Sequence, residues 1–256
     1  DNPYIRMLRE NMRIKNISYS AHTLKMLAIL AMFFDHFVAV FVVHDSLPGI
    51  LLRFPGRISA PIISYFIAEG YHHSSNRKRY LIRLLVFAAI SHLPYNLLFG
   101  YSFFEATSII WGLAMGLIAL MAVKHNTLNI LLKLIILALC AWLSMRANWN
   151  FVVVFWIVGF GLYRGDLKKQ MLSFLGVGIV FHLIPTMIRF GLTHQVYPHW
   201  YQFGIVLAIP LLMAYNGTKG TQSKWSAWFF YIFYPVHMIL LYLLDLFTPL
   251  AELLGV

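Results

Sequence analysis

Lys25, Asp35 and His36 interrupt an otherwise apolar run, LKMLAILAMFFDHFVAVFVV at residues 24–43. An imidazole titrating near neutrality can take a proton from a hydroxyl or amine, or take an acyl group itself, and a cation can hold an anionic ligand. Lys25 and His36 are eleven residues apart, which puts them within about 20° on one helix face and roughly 16 Å apart along the axis. One polar face then runs from the start of the helix to its middle. Asp35 lies about 80° from Lys25 and next to His36, where a carboxylate can set that ring's tautomer and basicity. The plainer alternative is that Lys25 snorkels to headgroups while Asp35 and His36 bond neighbouring helices.

A second histidine of this kind stands in YIFYPVHMILLYLLD, residues 231–245. Pro235 removes a helical hydrogen bond and frees the carbonyl of Tyr231, and Tyr234 and His237 are neighbours at i, i+3. His36 and His237 each lie about twelve residues, or some 18–20 Å, from the same end of their helices. The two rings are therefore expected at one depth, where they can share a cavity. In PGRISAPIISYFIAEGYHH, residues 55–73, Arg57 opens a span and Glu69 closes it on the side of Tyr65. Glu69 suits either a site or a pairing with the basic loop beside it. That loop supplies Arg77, Lys78, Arg79 and, one turn on, Arg83. Four cations can hold phosphates by charge and bidentate hydrogen bonds, and membrane topology alone also favours such a cluster. His92, Glu105, His182 and Arg189 are weaker candidates, more in keeping with interhelical hydrogen bonding. His194 and His199 have no third ligand nearby, so no metal site is expected. Serine-hydrolase, P-loop and zinc-protease motifs do not occur.

The elements that must position these groups are membrane helices. Of the 256 residues, 60% are hydrophobic and only 11% charged, and the mean hydropathy is +0.72, far from the balance of a soluble domain. The predicted fold class is all-α, a polytopic transmembrane bundle embedded in a lipid bilayer. Cutting at polar clusters gives about nine spans, near 23–43, 57–71, 81–99, 108–123, 128–145, 150–163, 171–189, 201–215 and 226–245. The second is short, and the prolines and glycines before it suggest an irregular approach. Trp149, Trp200, Trp225 and Trp228 mark span ends. With a cytoplasmic N-terminus, 13 of the loop Lys and Arg residues fall inside and only Arg53, Arg57, Arg146 and Arg189 outside.

The expected organisation is a cytoplasmic or interfacial segment at 1–22, a bundle at 23–245 and a short tail at 246–256. Arg6, Arg9, Arg13 and Lys15 suit an amphipathic surface helix. The formal charge of +11 is split into short clusters rather than a stripe with interleaved aromatics, so no nucleic-acid partner is expected. Cys140 is the one cysteine and can form no internal disulfide. The short loops leave chemistry to the bundle itself.

From Lys25 to Tyr242 the chain resembles the TraX family of integral membrane acetyltransferases. The resemblance rests on KMLAILAMFFDH (25–36), PGRISAPIISYFIAEG (55–70), RKRYLIRL (77–84) and FYPVH (233–237), in that order and spacing. The Lys-x10-His spacing is also similar to the Arg/Lys-x10-His signature of a wider transmembrane acyltransferase superfamily. The chain departs from the family at His92, where an acidic residue is usual, and at FFEATSIIWG, which replaces an Asn-rich start of the fourth span. The resemblance implies acetyl-CoA as acyl donor, a hydroxyl or amine acceptor on a pilin N-terminus or a glycan, and a bacterial inner membrane. It also implies His36 as the catalytic residue, with Asp35 beside it and Lys25, Arg57, Glu69 and His237 as site members. A proton-coupled transporter or flippase could use the same buried charges, and a structural partner in a membrane assembly would need them only for stability.

Overall fold

The computed structural model describes residues 18–42, 47–193, 198–221 and 224–247. The basic segment with Arg6, Arg9, Arg13 and Lys15, His194, the side chain of His199 and the tail beyond 247 lie outside the described residues.

The helices are α1 (Ala21–Phe41), α2 (Leu47–Arg53), α3 (Ser59–His73), α4 (Arg77–Phe99), α5 (Ile109–Val123), α6 (Ile130–Leu143), α7 (Val152–Leu162), α8 (Leu167–Gly178), α9 (Ile184–Thr193), α10 (Ala208–Met213) and α11 (Lys224–Phe247). Among the described residues there is no strand, only two isolated bridges, Tyr19 with Tyr215 and Thr107 with Ala147. Taken in turn, the described helices form an all-α bundle. Among the described residues, five runs are long and apolar enough to cross a membrane: Ala21–Phe41, Leu47–His73, Arg77–Phe99, Leu167–Leu192 and Trp228–Phe247. The second is longer than its sequence suggests. A 3-10 turn at Pro55–Ile58 joins α2 to α3, and Pro55 fits at the first position of that turn because no N–H is needed there.

Four shorter apolar helices complete the bundle, Ile109–Val123, Ile130–Leu143, Val152–Leu162 and Trp200–Met213. At 1.5 Å per residue the 11 residues of α7 span about 16 Å, half of a hydrocarbon core. Such a helix is tolerable where protein rather than lipid surrounds its ends. Indeed α7 is buried along nearly its whole length, packed between α3, α5 and α8. By contrast α6 buries only Cys140 and lies at the periphery. The contact of α5 with α7 depends on Gly112 and Gly116, a G-x-x-x-G pair whose role the sequence alone does not reveal. A Cβ at Gly116 would stand 2.5 Å from Ile157 Cδ1, and one at Gly112 2.8 Å from Val153 Cγ2. Small residues let the two backbones approach, which compensates for the weak hydrophobic drive between helices in lipid.

The starts of α1, α4, α6 and α8 lie at one end, with Lys124, Arg164 and Lys219 in its loops and Lys168 and Lys169 in the first turn of α8; we call it the basic end. Each of these starts is capped by a side chain: Ser20, Asn76, Asn129 and Asp166 accept from Thr23, Arg79, Leu132 and Lys169 N–H. Arg53, Arg57, Arg146 and Arg189 belong to the opposite, far end. The run from α8 to α9 is continuous but widened at Ile179–Leu183 by a π turn.

Candidate active site

His36 and His237, 201 residues apart in the chain, meet inside the bundle. Nδ1 of His36 is 2.9 Å from Nε2 of His237, and the rings stack at 12° with centroids 5.2 Å apart. Nδ1 of His237 lies 2.8 Å from the carbonyl oxygen of Phe233, one turn back on α11. A carbonyl only accepts, so His237 carries its proton on Nδ1. Its Nε2 in a neutral ring then accepts, so His36 donates from Nδ1. A neutral His36 therefore presents its lone pair at Nε2, the form a base or nucleophile needs. Both rings are buried. Tyr234 meets His36 and His237 edge-on, at 6.3 and 5.4 Å between centroids, and Phe99 closes on His36 at 5.8 Å.

A cavity of about 460 Å³ leads toward this pair from the basic end. Its mouth has His22, Lys25, Glu69, Arg83 and Lys219; its deep wall has Met32, Ile110 and Tyr234. Tyr234 lines the cavity and meets both imidazoles, so it stands between the cavity and the pair. Lys25 does not snorkel away. Its Nζ lies over the rings of Phe66 and Phe230, 5.1 and 5.5 Å from their centroids, an arrangement that holds a partly desolvated ammonium. Arg83 lies between Tyr80 and Tyr231, 5.9 Å from each ring centroid, and its buried Nε has no hydrogen-bond partner among the described residues.

The rest of the expected phosphate cluster takes a different position. Arg77, Lys78 and Arg79 are exposed, on the rim between the lining residues Ser74 and Tyr80. Arg77 is folded over Tyr71, 4.3 Å from its ring centroid, and donates to that residue's carbonyl at 3.2 Å. Glu69 pairs with Arg164 rather than with the adjacent basic loop, Nε to Oε1 at 2.9 Å, with His73 at 3.6 Å.

Asp35 turns away from His36. One of its oxygens takes Arg53 Nε at 3.2 Å and the other takes Arg57 Nη2. Adjacent residues on a helix point about 100° apart, so Asp35 serves the far end while His36 serves the interior. The ring's tautomer follows from His237 and Phe233, where the sequence suggests Asp35. A buried carboxylate is costly unless it is paired, and two guanidinium groups at the same depth settle its direction. Arg53 stacks on Tyr201 at 4.1 Å, and Arg57 lies 5.0 Å from the rings of both Trp149 and Tyr201. Gly56 lets the 3-10 turn pass over the carboxylate, since a Cβ there would be 2.5 Å from Asp35 Cβ. Sequence reasoning missed Arg53 and Tyr201 as site members. The i, i+4 spacing of Arg53 and Arg57 opposite a lone buried acid was the available signal.

The weaker candidates are bound into structure. His92 donates from Nε2 to the Phe103 carbonyl at 2.7 Å, Glu105 accepts from the Ser102 N–H and hydroxyl at 3.0 and 3.2 Å, and His182 sits edge-on to Trp149. Among the described residues, no three His, Cys, Asp or Glu side chains gather as a metal ion requires.

A family model described as TraX protein matches residues 20–245. The chain is also similar to the probable fimbrial assembly protein FimC, serogroup H1, of Dichelobacter nodosus, with 29% identity over 215 residues, 80% of this chain and 88% of that protein. No solved structure matches.

Proposed function

The chain belongs to the TraX family, and on that premise we propose that it is an integral membrane acetyltransferase. It moves an acetyl group from cytoplasmic acetyl-CoA to a hydroxyl or amine of an exported or membrane-associated acceptor, at a bacterial inner membrane. The observation that carries this reading is the hydrogen-bonded series from Phe233 C=O through His237 to His36, which leaves the lone pair of a neutral His36 on Nε2, with Tyr234 between the pair and the cavity from the basic end. The relative's description as a fimbrial assembly protein favours a pilin acceptor over a glycan.

In this reading the basic end is cytoplasmic. A cavity of about 460 Å³ is within the usual range for small-molecule sites, roughly 300–1,000 Å³, and suits the narrow arm of the donor. Lys25, Arg83 and Lys219, with Arg77, Lys78 and Arg79 at the rim, would hold its phosphates. The thioester then reaches Tyr234, whose side chain governs access to His36. Nε2 of His36 takes the acceptor's proton as the acceptor oxygen or nitrogen bonds to the thioester carbon. The C–S bond breaks, and the departing thiolate receives that proton from Nε2. Transient positive charge on His36 strengthens its Nδ1–H bond to His237, because a lone pair faces it. In a two-step variant the Nε2 lone pair attacks the thioester carbon, the C–S bond breaks and the thiolate departs; the acceptor then takes the acetyl group as the bond to Nε2 breaks, and its proton goes to that thiolate.

The test is to incubate the purified protein with radiolabelled acetyl-CoA, measuring binding and slow thioester hydrolysis, and to repeat both with His36→Ala. Absence of binding by the folded protein rejects the class, and unchanged turnover in the variant rejects His36. A second reading, a proton-coupled transporter or flippase, draws on a polar pocket at the far end lined by Arg57. It requires substrate movement across proteoliposomes without acetyl-CoA, driven by a pH gradient.

A further inference from the structure

Among the described residues, the buried charges at the far end do not balance. The carboxylate of Asp35 faces the guanidinium groups of both Arg53 and Arg57, and the three side chains are only 4%, 12% and 7% exposed. Glu105, the acid in the nearby α4–α5 loop, is exposed and tied to Ser102. An excess positive charge away from water is costly unless an anion meets it. Arg57 also keeps a buried Nε–H that has no acceptor among the described residues, although guanidinium donors are suited to paired acceptance by an oxyanion.

That residue lines a second cavity of about 380 Å³, together with Asn148, Asn150, Thr186, Arg189 and Gln202. The walls add a second guanidinium and side-chain hydrogen-bond donors, and no acid is among the described residues that line the space. The π turn at Ile179–Leu183 lies along this wall, a distortion frequent at functional sites.

We propose that the far-end cavity binds an oxyanion, a carboxylate or phosphate group, with Arg57 and Arg189 as its ion partners. The group belongs to a molecule that arrives from the far side of the bilayer. As a seat for the acceptor the site rests on the acetyltransferase reading; as an anion site it does not. Asp35 competes with the incoming group for Arg57, and it precedes His36 on α1, so one helix carries both the competitor and the reactive ring.

The test uses the full chain in nanodiscs of phosphatidylcholine, without acetyl-CoA. Glutarate is the soluble carboxylate probe and phosphatidylglycerol doped into the disc is the lipid phosphate probe, with glycerol as a neutral control. Equilibrium binding and the unfolding midpoint are both read. Saturable stabilisation by glutarate supports the site with a soluble carboxylate as its source, and saturable stabilisation by phosphatidylglycerol supports it with a lipid headgroup. In either case Arg189→Gln weakens binding about tenfold, the loss of one charge-assisted hydrogen bond, and Asp35→Asn tightens it by freeing Arg57. Because Arg57→Gln could fail to fold, Arg189→Gln is the deciding variant. No saturable binding by either anion, or equal affinity in Arg189→Gln and the parent chain, overturns the proposal. Neither result depends on whether acetyl-CoA binds at the other end.

Discussion

At the basic end, Glu69 meets Arg164 with the guanidinium 38% exposed, four helix starts are capped by side chains, and cations ring the mouth of a cavity walled by aromatic and aliphatic groups. At the far end, Asp35 meets Arg53 and Arg57 with no partner above 12% exposed, under Trp149 and Tyr201. Water screens the first set and is excluded from the second. Charge at the basic end is thus set in water around a cavity mouth, whereas the Asp35–Arg53–Arg57 cluster at the far end also holds α1 to the α2–α3 run. His36 and His237 lie between the two regimes, bonded to each other.

The largest effect expected is on the pair itself. His36→Ala should lower acetyl transfer by roughly 10²–10⁴-fold, the contribution of a general base. His237→Leu should cost about 10–100-fold, as loss of an orienting partner does. His237→Gln, which can offer Oε1 in place of Nε2, should retain more activity than the Leu variant. Single-turnover rates with labelled donor check the order, and equal rates for Leu and Gln would break the orienting role.

Stability separates the two ends next. Asp35→Ala leaves two guanidinium groups buried without their carboxylate and should cost about 3–5 kcal/mol, whereas Glu69→Ala at the wetter end should cost under about 1 kcal/mol. Denaturant unfolding in detergent measures both, and equal losses would remove the contrast between the ends. The bundle's middle is tested by Gly116→Val, which overpacks the α5–α7 contact against Ile157 and should cost about 1–3 kcal/mol, read by the same unfolding.

The smallest effect concerns the water-facing caps. The Lys169 N–H donates to Asp166 and holds its carboxyl below the usual range. Its folded pKa is thus below its unfolded one, so its stabilisation is complete above the unfolded value and fades as pH falls through the folded one. The difference in unfolding midpoint between the parent chain and Asp166→Ala should shrink on acidification below the ordinary carboxylate range. A constant difference would show that the cap acts without its charge.

Much of this arrangement is legible in the sequence. Hydropathy marks each traverse of the bundle, and counting residues from the basic end places His36 and His237 at one depth. What stays hidden depends on neighbours remote in sequence. The direction of Asp35 is decided by Arg53 and Arg57 in another span. Arg164, not the nearby basic loop, takes Glu69 across 95 positions. Gly112 and Gly116 look like ordinary membrane-helix glycines until Val153 and Ile157 are seen against them. The prolines before residue 57 suggest a break, but they are absorbed into a helical run because Pro55 sits where no amide hydrogen is required.

The carbonyl of Phe233, where the hydrogen-bond series ends, limits where a proton can travel. A backbone oxygen can receive a hydrogen bond but cannot pass a proton onward. To hand one along, His237 would have to turn its ring and give up that bond. The imidazole pair is therefore a cul-de-sac, open only at Nε2 of His36. In the proposed acetyl transfer, a proton taken there must leave there, within the same turnover and to whichever group has just gained a negative charge.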